Sequence, residues 1–107
     1  MTTFDKREEG FEAKYAHDEE LHFRALARRN KLVGAWAAEL MGKKGEEADG
    51  YQATLLAPDL LGKADDRLVL KVVADLKAQG VERSATEVAG KLKDLLAKAI
   101  TDIETGR

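Results

Sequence analysis

LHFRALARRNKLVGAWAAEL, residues 21–40, decides the fold. Leu26, Val33, Trp36, Ala37 and Leu40 recur in it at the three- and four-residue spacing that sets side chains on one face of an α-helix, and the stretch holds the chain's single Trp. It reads as the central helix of an all-α protein, an antiparallel four-helix bundle with a long first helix. The polar and aromatic segment ahead of it, residues 1–20, reads as an N-terminal overhanging arm and as the part that acts; residues 21–107 then form the bundle.

A chain of 107 residues fits one domain with a core of its own and little to spare for a second. Residues of high helix propensity dominate and there is one Pro, which favours helices over sheet. With 36% charged residues and a formal net charge of −2, the whole-chain field favours neither nucleic acid nor a membrane surface. No apolar run approaches the roughly 20 residues of a membrane span. The opening MTTFD is not that of a signal peptide, so a cytoplasmic location is expected. The absence of Cys excludes disulfides, thiolate nucleophiles and Cys-based zinc sites.

Residues 1–20 carry seven acids and three bases around Phe4, Phe11 and Tyr15, with Gly10 in the middle. The sign then flips: Arg24, Arg28, Arg29 and Lys31 follow with no acid among them, a cluster that reads as a solvated face. Asp18, Glu19 and Glu20 suit the positive end of a helix starting near Asp18. Gly42 should end that helix, and the short link 42–45 should turn the chain back alongside it. A second helix is expected from Glu46 and Glu47 to about Ala57, before Pro58, with Leu60 and Leu61 folded over the end of the core. A third should begin near Asp65, bury Leu68, Val69, Val72, Val73 and Leu76, and stop at Gly80. Ser84 and Glu87 form a capping box, after which Val88, Leu92, Leu95, Leu96, Ala99 and Ile103 make the buried stripe of the fourth.

Length gives the arm its meaning. At about 1.5 Å per residue the second and third helices cover roughly 18 and 22 Å, whereas a helix from Thr3 to Met41 would run nearly 60 Å. Its first 15 to 20 residues or so have nothing in the bundle to cover them.

Tests for chemistry find little. Glu19-x-x-His22 matches one half of a di-iron bundle motif, but the later helices contain no His to supply the other half. His17 and His22 are about 140° apart around a helix and do not chelate one metal. Ser84 is explained by capping, and neither Gly42-Lys43-Lys44-Gly45 nor Gly62-Lys63 belongs to a phosphate loop. A non-enzyme without cofactor or metal is expected. His17 and His22 are candidate pH-sensing groups at the junction of arm and bundle. The plainer reading of His22 is a neutral flank of the core.

The arm itself is amphipathic. At about 100° per residue, Phe4, Phe11 and Tyr15 fall within about 40° of one another, and His22, Leu26, Arg29, Val33 and Leu40 continue in phase. Aromatic anchors at i, i+7 and i+11 with nothing of their own to cover them are the pattern of a helix that docks in another protein's groove.

The run Phe4-Asp5-x-Arg7-Glu8, then Phe11-Glu12-x-Lys14-Tyr15-Ala16-His17-Asp18-Glu19-Glu20-Leu21, then Ala27-Arg28-Arg29-Asn30-Lys31-Leu32 to Trp36-Ala37-Ala38-Glu39-Leu40 resembles the zeta subunit family. That family is the small inhibitor of the F-type ATP synthase in alphaproteobacteria. The resemblance implies a four-helix bundle whose N-terminal arm enters a catalytic interface between the alpha and beta subunits of the synthase head and blocks ATP hydrolysis. It implies a protein held at the inner face of the membrane through the synthase. Phe4, Phe11 and Tyr15 would then be the apolar anchors, and Asp5, Arg7, Glu8, Glu12 and Lys14 the polar contacts. Gly10 lowers the stability of such a helix when free.

Two other classes compete. The same aromatic face would serve a helical adaptor or dimerisation module. The third and fourth helices around Gly80 loosely suit a helix-turn-helix, although the fourth presents only Lys91, Lys93 and Lys98 and the net charge is negative.

Overall fold

The computed structural model describes residues 19–62 and 64–106. Among them the chain is all-helical, with four α-helices, one 3-10 turn and no strand. The helices are α1 (Glu19–Leu40), α2 (Glu46–Thr54), α3 (Asp66–Ala78) and α4 (Ala85–Glu104), and the 3-10 turn is Pro58–Leu60.

Local chemistry sets most of these boundaries. Gly42 takes φ 75°, where a Cβ is penalised, and lets the Lys43 N–H return to the Ala38 carbonyl at 2.9 Å, closing α1. Gly80 repeats the device after α3 at φ 79°, with the Val81 N–H on the Leu76 carbonyl at 2.9 Å. Ser84 caps α4, its hydroxyl accepting from the Glu87 N–H at 3.0 Å. The Glu87 carboxylate lies 3.9 Å from Arg83 Nε.

The end of α2 departs from expectation. The helix stops at Thr54 rather than near Ala57, because Ala57 is already extended at ψ 141°, as the residue before a proline prefers, and Leu55 sits at ψ 0°. Leu55 and Leu60 gain from this by turning inward; both are buried in the core.

α1 is the shared wall. It packs along both α2 and α4, and α3 packs on α4. The main core joins Val33, Ala37 and Ala38 of α1 to Tyr51, Leu55, Leu60, Leu68, Val72, Leu76, Val88 and Leu92, with Trp36 partly buried at its edge beneath the Lys91 ammonium, 5.7 Å from the ring centroid. A smaller cluster, Ala25 with Ile100, Leu96 and Ile103, joins only α1 and α4. Where α1 meets α2 there is no room for a side chain: a Cβ on Gly34 would lie 2.8 Å from Gln52 Cα.

Candidate functional site

Phe4, Asp5, Arg7, Glu8, Phe11, Glu12, Lys14 and Tyr15, the expected partner contacts, and His17 lie outside the described residues. The structure describes the stretch that follows them, the first turns of α1. Burial there begins at Ala25; Glu20, His22, Phe23 and Arg24 are exposed and Leu21 is partly buried. Phe23 is 53% exposed. His22 is therefore no flank of the core. The apolar stripe of α4 meets α1 at Ala25, through Ile100, and α4 itself ends at Glu104.

The basic cluster also differs from its expected solvated face, because two of its four cations are tied into the body. Arg28 donates from Nε to Asp102 Oδ2 at 3.0 Å, and Lys98 Nζ is 3.5 Å from the other carboxylate oxygen. The Arg28 hydrogen bond, helped by the positive charge of Lys98, holds the Asp102 carboxyl below the usual aspartate range against the opposing effect of its burial. Arg29 is only 2% exposed. Its Nη1 donates to Asp65 Oδ2 at 3.1 Å, Nη2 is 3.0 Å from Oδ1, and Nε donates to Asn30 Oδ1 at 2.9 Å. Asn30 in turn donates from Nδ2 to the backbone carbonyls of Leu55 at 2.8 Å and Leu60 at 3.0 Å. The Asp65 carboxylate is thus taken by Arg29 and makes no cap hydrogen bond to α3, although Asp65 occupies the N-cap position.

Arg29, Asn30 and Asp65 form a polar layer between the two apolar clusters, and the Arg28–Asp102 pair lies beside the smaller one. Arg24 and Lys31 are exposed as expected. Beside the Arg29–Asp65 pair lies an open cleft of about 260 Å³, walled by Val69, Leu92 and Leu96. Between α2 and α3, Tyr51 donates to Asp75 at 2.9 Å; burial first, then the carboxylate, raises its hydroxyl well above the ordinary tyrosine value.

Among the described residues no group of three or more His, Asp or Glu is arranged to hold a metal. No described helix is long and apolar enough to cross a membrane. What the site offers is a helix start on which Glu20, His22, Phe23 and Arg24 are exposed.

A family model described as ATPase inhibitor subunit zeta matches residues 1–102, taking in residues 1–20 as well as all four helices almost to the end of α4. No curated protein matches the chain.

Proposed function

The chain belongs to the ATPase inhibitor subunit zeta family, and from that premise we propose that residues 1–20 are an inhibitory arm and residues 21–107 a four-helix, antiparallel bundle that carries it. The arm docks at a catalytic interface between the alpha and beta subunits of the F-type ATP synthase head and blocks ATP hydrolysis. The protein is a regulatory subunit and not an enzyme, and it works in the cytoplasm, at the inner face of the membrane through the synthase. The match across residues 1–102 carries this reading, since it includes the amphipathic segment with Phe4, Phe11 and Tyr15. The exposed first turns of α1 are consistent with it, because a helix whose burial begins at Ala25 leaves its start accessible to another protein.

The test adds the protein to the purified synthase head and follows ATP hydrolysis. The full chain should inhibit. A variant lacking residues 1–16 should not, while keeping its cooperative thermal melt. Loss of the melt on truncation, or inhibition that survives it, would sink the division into arm and bundle.

A further inference from the structure

We propose that the cleft beside the Arg29–Asp65 pair binds a small monocarboxylate with a short apolar chain, its head on Arg29 and Lys93 and its chain against Val69, Leu92 and Leu96. The proposal stands apart from the docking of the arm. Its first support is an unmatched donor. Arg29 is 2% exposed, and its Nη2 lies 3.0 Å from Asp65 Oδ1 as an ion pair yet makes no hydrogen bond. The acceptors beside it are engaged by the other nitrogens of the same guanidinium, Asn30 Oδ1 by Nε and Asp65 Oδ2 by Nη1. A buried N–H without an acceptor costs stability, so an oxygen brought to Nη2 is favoured.

The second support is the make-up of the cleft. It measures about 260 Å³, and Arg29 and Asp65 share its lining with Val69, Leu92, Lys93 and Leu96. Its volume falls below the roughly 300 Å³ at which drug-sized ligands begin to fit, so the ligand is small. Two cations against one carboxylate leave the lining positive, which selects an anion. Asp65 limits that anion to a single charge, since a dianion beside it would meet more repulsion. Asp65 and Val69 also put the first turn of α3 in the wall, and because Asp65 at the N-cap makes no cap hydrogen bond, the positive end of that helix adds to the field. The three aliphatic side chains decide the rest of the ligand, because an apolar chain laid on them leaves water.

The experiment titrates the full-length protein with sodium hexanoate at fixed pH and ionic strength and follows the backbone amides and the Arg29 Nε–H by NMR. Hexanoate should give saturable shifts centred on Arg29, Val69, Leu92 and Leu96. Hexanol, the same chain without the charge, should bind about tenfold more weakly, as expected when a charge-assisted hydrogen bond is lost. Inorganic phosphate, which has no chain, should leave Val69, Leu92 and Leu96 unmoved. Lys93→Gln, at an exposed position, should weaken hexanoate about threefold, whereas Lys44→Gln, exposed in the link between α1 and α2, should not. Shifts that do not saturate, or that fall elsewhere on the protein, overturn the site. Hexanol binding as tightly as hexanoate would leave only an apolar crevice, and phosphate acting on the same three residues would remove the part given to the walls; either result refutes the proposal. Equal losses in Lys93→Gln and Lys44→Gln refute it as well, since the attraction would then belong to the whole surface.

Discussion

A guanidinium in a protein interior costs stability unless its donors are matched, and Arg29 shows how local the matching is: Nη1 donates to Asp65, Nε donates to its own neighbour Asn30, and Nη2 lies 3.0 Å from the Asp65 carboxylate as an ion pair without a hydrogen bond of its own. Removing the acid leaves a buried cation with half its partners. Asp65→Ala should therefore lower stability by about 2 kcal/mol, the worth of hydrogen bonds to a charged group discounted for the partial exposure of Asp65. A urea midpoint unmoved by Asp65→Ala would refute the pairing. Read from the sequence, Arg29 stands with its cluster on a solvated face: although it falls in phase with Leu26 and Val33, its partner is 36 residues away and no periodicity points to it. Arg28 was harder still, since the carboxylate it meets lies 74 residues on, within a turn of the end of α4. In the arm the residue-scale expectation is one-sided. Replacing Phe11 and Tyr15 by Ala should cost about 2 kcal/mol or more of binding, whereas Lys6 and Glu9, on the other side of a helix, should cost under about 1. Equal losses of inhibition from the two pairs would argue for a fully enclosed segment.

At the scale of the element, glycines divide by what surrounds them. Gly34 lies where α1 and α2 touch backbone to backbone, so Gly34→Ala forces its Cβ to within 2.8 Å of Gln52 Cα and must move a helix rather than a flexible side-chain tip. We expect a loss of about 1–3 kcal/mol, overriding the helix propensity that Ala adds. Gly50, in the middle of α2, meets nothing within 4 Å, and Gly50→Ala should stabilise by about 0.4–1 kcal/mol. Thermal melts of the two variants should move in opposite directions; a shift of the same sign in both would show that α2 does not approach α1 as described. Gly42, Gly80 and Ser84 were legible in the sequence because stop and cap signals act within a turn of themselves. The close approach at Gly34 was not, since a glycine inside a helical pattern says nothing about which helix lies opposite. The early end of α2 was misread for a related reason: Leu55 and Leu56 keep the helical period, yet burial of Leu55 and Leu60 is achieved by leaving the helix.

Across the whole molecule, stability is graded. The main core gathers side chains from all four helices, while the cluster at Ala25 and Ile100 joins α1 to α4 alone and leans on the Arg28–Asp102 ion pair. Asp102 titrates lower in the folded protein than the value of about 3.9 expected of it in an unfolded chain, so its contribution is complete above that unfolded value and is lost as pH falls through the depressed one. Hydrogen exchange in residues 21–28 should thus rise on going from about pH 5 to about pH 3, once corrected for intrinsic rates, before residues 33–40 respond. In Asp102→Asn the difference between the two regions should no longer depend on pH; an unchanged dependence would assign the effect to other carboxylates. The polar layer has a further, mechanical meaning. A helix packed only by apolar side chains can slip along its neighbours by a turn, about 5.4 Å, and find a similar fit. α1 cannot, because a slip would bring Leu26 or Gly34 to the place of Asn30 and strand the carbonyls of Leu55 and Leu60. The helix is indexed like a toothed rod, with a single permitted height, so its start at Glu19 is held at a set reach from the body.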